Sequence, residues 1–356
     1  MDNYTLTEFG QPLVMRCEPE LAPRGTEVLI EVSCCGVCQT DLSIKKGYYD
    51  LGGGKKMAMR DRGMVPPIVL GHEISGRLVA LGPDAAMSED QIGRTFVVYP
   101  WIGCGQCVMC KEGDENLCLA PQFLGLQRPG GHAERIIVPH ARYLVDIGNV
   151  DPALAATYAC SGLTSYGALS KLAPQAHKAP LLLIGGGGLG QSALNIAKAL
   201  GYKSVVVADV DRTKREIAIA AGATKAIDPS AGADEDFAGQ FASVIDFVGN
   251  AATYEFGLKA LRRGGRYVIV GLSGGEITQA LPPISLRPIS IIGSLTGSLD
   301  DLRALLDLAK AGKLKPMDIE RQPRSATNDA LDRVRDGKVR GRLVLVSQKS
   351  EAYDRE

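Results

Sequence analysis

From Pro180 onward the chain alternates short apolar runs with longer amphipathic stretches. The runs 181–184, 204–208, 225–227, 243–247, 266–270 and 289–292 read as buried strands. Helical spacing fills the intervals at about 189–200, 212–221, 253–263 and 299–311. Strands that alternate with helices imply a parallel, doubly wound sheet. Residues 1–150 have a different rhythm. Short β-branched runs at 28–32, 74–80, 95–99 and 133–138 lie between Gly and Pro turns, and helical spacing is scarce, so a β-rich barrel or sandwich is expected. Between the two, Asp151-Pro152 supplies an N-cap and a proline at the first helical position, opening a helix over 153–170. The tail predicts a helix near 326–335 and a strand at 342–346, which the pattern alone assigns to neither part. No internal repeat is visible.

Composition narrows this picture. The 356 residues are 45% hydrophobic and 22% charged, the values of a globular chain and enough for two domains. Forty basic residues offset forty acidic ones, so there is no electrostatic footprint for nucleic acid or a membrane surface. The first residues, MDNYTLTEFG, lack the basic and apolar regions of a secretory signal, and no apolar run approaches the ~20 residues of a membrane span. A cytoplasmic location is the expectation. Eight of the nine cysteines lie at or before Cys118, and in a reducing compartment they point to metal or catalysis over disulfides.

The run 181–184 leads into Gly185-Gly186-Gly187-Gly188-Leu189-Gly190 and then a helix. Gly185, Gly187 and Gly190 fit G-x-G-x-x-G in the strand–turn–helix setting that gives the motif meaning. The first glycine permits the turn, the second lets a pyrophosphate touch backbone, and the third lets helix pack on strand. The phosphates then meet free amides at the positive end of the helix. Asp209 ends the next strand, 19 residues after Gly190, where a carboxylate accepts the ribose hydroxyls and repels a 2′-phosphate. NAD is expected over NADP, although Arg212 and Lys214 lie close by.

Cys104, Cys107, Cys110 and Cys118 fall within fifteen residues. Such a loop can wrap one tetrahedral zinc with Zn–S near ~2.3 Å. An iron–sulfur run shares C-x2-C-x2-C but continues with x3 and Cys-Pro, whereas here the gap is seven and Leu119 follows. With no open position, this site is structural. GVCQTD (36–41) and GHE (71–73) stand apart. With Cys160 they supply thiolate, imidazole and thiolate, a Cys2His set whose fourth position stays open for chemistry.

Together these motifs resemble the zinc-dependent alcohol dehydrogenases of the medium-chain dehydrogenase/reductase superfamily. The likeness covers nearly the whole chain and includes CSGLTSY (160–166) and GKVRG (337–341). It implies a GroES-like catalytic domain over 1–151 completed by 296–356, with a Rossmann NAD-binding domain at 152–295. It further implies two zincs per subunit: Cys38, His72 and Cys160 around a catalytic one, and the four-cysteine loop around a structural one. Glu73 would sit behind the catalytic metal and Asp41 would orient His72. The metal would lower the pKa of an alcohol, Thr40 would pass its proton outward, and hydride would go to NAD, giving an aldehyde or ketone. Arg340 would pair with the pyrophosphate, and Leu189, Gly188 and Thr164 would lie along the cofactor. A homo-oligomer, dimer or tetramer, is implied, with 289–292 pairing sheets across the dimer.

Two positions depart from the family pattern. Where many relatives end the proton relay in a histidine, this chain has Ser43, which cannot store a proton near neutrality. Gln39 stands where relatives often place a cation on the phosphates. The stretch 48–67 is longer than usual and carries Lys55, Lys56, Arg60 and Arg62 against Asp61. It reads either as a solvated flexible loop or subunit contact, or as a lid favouring acidic or bulky substrates. Trp101 and Tyr49 are candidates for the pocket wall. The alcohol remains open; a polyol, a ring alcohol or a hydroxylated acyl-CoA are alternatives within the superfamily, and a non-catalytic nucleotide-binding scaffold lies outside it.

Overall fold

A computed structural model describes residues 1–230 and 237–347. The final residues of the expected C-terminal portion, 348–356, lie outside the described residues.

Six parallel strands form the sheet expected from the second half. Their order is Lys225–Ile227, Val205–Ala208, Leu181–Ile184, Phe241–Asp246, Leu261–Ile269 and Ser290–Gly293. The order reverses beside Leu181–Ile184, so the crevice at the carboxyl ends of that strand and of Phe241–Asp246 is the topological switch point. Leu181–Ile184 and Val205–Ala208 are buried on both faces, which is why they read as unbroken apolar runs. Three helices of this half start at side-chain caps: Asp211 accepts from Thr213 and Lys214, Asn250 from Thr253, and Ser298 from Asp301.

The N-terminal half builds two mainly antiparallel sheets, the larger of which takes in Ile319–Pro323 running parallel to Arg342–Val346. The larger runs Leu144–Asp146, Thr95–Val98, Glu73–Leu81, Val28–Gly36, Arg342–Val346 and Ile319–Pro323, with Arg135–Val138 also on Val28–Gly36. The tail strand thus joins the first half of the chain, pairing Val344 with Gly36 and Val346 with Cys34. A smaller sheet holds Asp2–Leu6, Val14–Cys17 and Ile68–Val69. Among the described residues no helix is long and apolar enough to cross a membrane.

Three elements differ from the sequence pattern. A helix, Gln39–Lys46, follows Cys38 in a region that showed little helical spacing, because only Asp41 and Ile44 of it are buried. It is held by its ends: the Cys38 amide donates to Asp41 Oδ2 at 3.0 Å and Gly47 closes it in the left-handed conformation. The basic stretch is a hairpin, Tyr48–Gly52 with Lys55–Ala58. The helix expected over 153–170 is interrupted, with α-helical Pro152–Thr157 and Leu163–Ser170 joined by a π-turn, Tyr158–Gly162.

Candidate active site

Strands Val28–Gly36 and Glu73–Leu81 pair so that Gly36 lies opposite Glu73. A side chain at Gly36 would meet Glu73 Oε2 at 2.0 Å, so this end of the pair closes only around glycine. Cys38 and His72 lie just past it and are drawn to one point. Cys160 arrives from the other side, inside the π-turn. Such a turn widens the helix locally and leaves backbone groups to other partners; here Trp101 Nε1 donates to the Ala159 carbonyl at 3.0 Å. The donor atoms of Cys38, His72, Glu73 and Cys160 all lie within 4.8 Å of one another, and all four residues are buried.

The donor set fits a zinc ion. The Cys38 and Cys160 sulfurs are 3.9 Å apart, close to the ~3.8 Å between two corners of a tetrahedron with Zn–S of ~2.3 Å. His72 Nε2 is buried without a hydrogen-bond partner, an orphan that a metal would satisfy. On the far side His72 Nδ1 lies 3.3 Å from Asp41 Oδ1, the carboxylate–histidine arrangement that orients a ligand ring. Asp41 also accepts the amides of Cys38 and Gly71, at 3.0 and 3.2 Å. Burial opposes its charge, yet His72, His132 and the Cys38 amide outweigh that and hold its pKa down at about 2. The two thiols share a proton: Cys160 lowers Cys38, while Cys38 and burial raise Cys160. A bound metal would release that proton.

Glu73 lies behind this cluster. Both its oxygens accept from Arg342 Nη2 at 2.5 Å, and the same nitrogen reaches the Val37 carbonyl at 3.3 Å. Burial raises the Glu73 pKa to about 7 against the pull of Arg342. The guanidinium faces two sites at once, since a Cβ at Gly188 would meet Arg342 Cδ at 3.0 Å and Nη1 at 3.4 Å. Arg342 Nε is buried with no partner. The sequence reading missed this residue. Its one signal was a cation opening the otherwise apolar, wholly buried strand Arg342–Val346. Arg340, the position singled out instead, is exposed.

The glycine turn gives each glycine a separate task. Gly185 has φ of +96°, a conformation that side chains disfavour. A Cβ at Gly190 would lie 1.8 Å from the Gly185 carbonyl, so helix Gly188–Ala199 approaches the strand as only glycine allows. Gly187 has no atom within 4 Å of its virtual Cβ and faces an open cradle at the helix N-terminus, which fits a pyrophosphate. Leu189 lies in the first turn of that helix and accepts from Ser165 Oγ through its carbonyl, tying the turn to the helix that follows Cys160. Thr164 is buried beside it in that helix. Asp209 accepts from the Gly186 and Asp211 amides at 2.7 and 2.8 Å, with Lys214 Nζ at 3.9 Å.

Trp101, 4% exposed, lies with its ring 5.5 Å from His72 and edge-on to Phe123 at 5.3 Å. Tyr49 packs against the same core from the hairpin. Of the expected relay, Thr40 is half-buried and Gln39 exposed on the first helical turn. Ser43 Oγ donates to the Gln39 carbonyl at 3.2 Å, so its hydroxyl is turned back onto its own helix. The Cys104, Cys107, Cys110 and Cys118 sulfurs gather in a separate loop with spacings of 3.5 to 4.0 Å. That, too, is the spacing of a tetrahedral sulfur cage. His132 is buried behind the first cluster, and His140 caps a turn by accepting from the Arg142 amide.

Comparison with known proteins agrees with this geometry. The model of the alcohol dehydrogenase GroES-like domain matches residues 24–149, and that of the zinc-binding dehydrogenase matches 188–311. The chain is similar to an NAD-dependent alcohol dehydrogenase of Sulfurisphaera tokodaii, 35% identical over 347 residues, 96% of this chain and 98% of that one. Among solved structures it is similar to the alcohol dehydrogenase of Aeropyrum pernix, with TM-score 0.84, 27% identity, and 97% and 100% of the two chains covered. It is also similar to the D-arabinose dehydrogenase of Sulfolobus solfataricus, with TM-score 0.81, 29% identity, and 97% and 98% covered.

Proposed function

The chain belongs to the zinc-type alcohol dehydrogenases of the medium-chain dehydrogenase/reductase superfamily, and from that premise we propose how its own residues divide the work. The enzyme transfers hydride between an alcohol and NAD, giving an aldehyde or ketone. We assign Cys38, His72 and Cys160 to a catalytic zinc, and Cys104, Cys107, Cys110 and Cys118 to a structural one. The observation that carries the reading is the buried thiol–imidazole–thiol cluster with its orphaned His72 Nε2. Bound there, zinc supplies a Lewis acid for the alcohol oxygen, and NAD supplies the hydride acceptor.

The protein groups do the positioning. Asp41 fixes the tautomer and plane of His72 through its contact with Nδ1. Thr40 offers a hydroxyl for the departing alcohol proton. With Ser43 bonded to its own helix, that path ends in water, without a histidine to store the proton. Trp101 and Tyr49 form apolar wall against which the carbon skeleton packs. The turn 185–190 takes the pyrophosphate, and Asp209, already held by two amides, presents its carboxylate to the ribose. We place the catalytic part at 1–151 with 296–356 and the cofactor part at 152–295. Strand Ser290–Gly293 ends the parallel sheet with Ile291 exposed, which supports pairing with the same strand of a second copy. The same reading places the enzyme in the cytoplasm, acting on small molecules.

Arg342, rather than Arg340, is assigned to the cofactor side of the cleft, because it spans Glu73 and the Gly188 turn. Arg342→Gln is expected to weaken NADH about tenfold to a hundredfold by fluorescence titration. It should also cost about 3–5 kcal/mol of stability, because Glu73 would be left buried without its cation. A variant that binds NADH as tightly as the wild type would refute the assignment.

The reading as a whole is tested by NADH formation across primary, secondary, aromatic and carboxylated alcohols, with NADP in parallel and zinc measured by mass spectrometry. Turnover with NAD and two zincs per chain are expected. No turnover across the panel with both zincs present would overturn it.

A further inference from the structure

Apart from Tyr49, the hairpin 48–58 has no role in the reading above, yet it contacts both parts of the chain. Its tip touches the cofactor part. Virtual side chains at Gly52 and Gly53 would meet the Gly275 backbone at 2.5 Å and the Glu276 carboxylate at 2.5 Å, and Lys55 Nζ lies 3.0 Å from Glu276 Oε1. Its base enters the catalytic part through Tyr49, which packs on the core. Burial raises the Tyr49 hydroxyl pKa, Arg62 opposes that, and the two cysteines Cys38 and Cys160 add to it. The segment therefore bridges the two parts of the chain, with its tip on Gly275 and Glu276 and one aromatic ring packed on the core.

The cations of this segment differ in what occupies them. Lys55 is paired with Glu276. Lys46 and Lys56 both lie 4.2 Å from the Tyr48 ring, and Arg60 lies over Phe9 at 5.5 Å. Arg62 is half-buried over the Tyr49 ring at 5.6 Å. Among the described residues no carboxylate pairs with it. Stacking on an aromatic face holds a guanidinium in one plane while leaving its N–H fork free for a planar anion. A half-buried, pre-oriented and unpaired guanidinium beside the substrate wall is what a carboxylate site requires.

We propose that Arg62, held on the Tyr49 ring by the hairpin that bridges the two parts of the chain, is a specificity residue that binds a carboxylate at the end of the substrate remote from its hydroxyl. The physiological alcohol is then a hydroxy acid whose two functional groups sit at opposite ends of a flat or apolar skeleton packed along Trp101 and Tyr49. The inference rests on the alcohol dehydrogenase reading for the hydroxyl end alone.

The test compares 4-(hydroxymethyl)benzoate with 4-(hydroxymethyl)benzamide, which differ in charge and little in shape. Initial rates are measured for the zinc-loaded wild type and for Arg62→Gln, Arg62→Lys and Arg60→Gln, each checked by thermal unfolding. Affinities of both compounds for the NADH-loaded protein are measured by calorimetry. The wild type should prefer the carboxylate by about tenfold to a hundredfold in kcat/KM. Arg62→Gln should bring that ratio towards one and Arg62→Lys should keep part of it. Arg60→Gln removes the same charge from the same segment and should move the ratio far less. A wild-type ratio near one overturns the proposal, as does an equal loss on removing Arg60. The two readings fail separately. Turnover of the amide without preference for the carboxylate sinks only the Arg62 site. If neither compound turns over while the carboxylate still binds tightly in an Arg62-dependent way, the site stands and the oxidoreductase reading falls.

Discussion

Cys160→Ala is expected to keep one zinc per chain instead of two and to lose at least about 10³-fold in kcat/KM. Lewis-acid stabilisation contributes several kcal/mol to such a reaction, and each ~1.4 kcal/mol is a factor of ten. Cys160 holds one of the two sulfurs set 3.9 Å apart, and without it only Cys38 and His72 remain among the proposed ligands. Glu73 cannot easily take over, since both of its oxygens are engaged by Arg342. The paired control is Cys17→Ala at an exposed thiol outside both clusters, which should leave rate and metal content alone. Zinc analysis and steady-state rates on the same preparations decide the matter. If Cys160→Ala still held two zincs, or turned over within tenfold of the wild type, Cys160 would not be a ligand of the reactive metal.

The second large effect separates two glycines three residues apart. A methyl group at Gly190 would sit 1.8 Å from the Gly185 carbonyl, and neither backbone can give way without moving helix Gly188–Ala199 off its strand. Gly190→Ala is therefore expected to destabilise the protein by about 3 kcal/mol, the upper end for overpacking. By shifting the turn it should also lower kcat/KM for NAD by about 10² or more. Gly187→Ala meets no protein atom within 4 Å, so the unfolding midpoint should stay where it is. The new methyl would instead enter the pyrophosphate cradle and weaken NADH binding about tenfold or more. Calorimetric unfolding and NADH titration of both variants test the split. Unaltered NADH affinity in Gly187→Ala would mean that the cradle is not where the pyrophosphate rests.

The two sites differ in how they are written into the chain. The four-cysteine loop and the glycine turn are local: fifteen residues hold all four thiols, and six hold the whole turn. Backbone geometry over so short a span leaves few ways to arrange such residues, and spacing alone revealed both. The cluster around Cys38, His72 and Cys160 is assembled from distant segments. Cys38 and Cys160 are 122 positions apart, and it took the resemblance of whole motifs to place them together. Arg342 and Glu73, 269 positions apart, carried no local signal of partnership, and attention fell on Arg340 instead. The helix Gln39–Lys46 was also silent, because it is set by its caps and exposes most of its surface.

The sequence by itself determined the parallel sheet, the dinucleotide turn and the sulfur cage, because hydrophobic period and residue spacing act over one or two turns of chain. Only the tertiary structure decided that the tail strand completes the first half, that a π-turn delivers Cys160, and that Arg342 joins Glu73 to the glycine turn. It also decided that the basic stretch folds as a hairpin braced on Gly275 and Glu276, leaving Arg62 stacked on Tyr49 with no carboxylate partner among the described residues. These are long-range choices. Burial and charge pairing fix them only once distant segments share one core, and no local pattern records which partner each group will find.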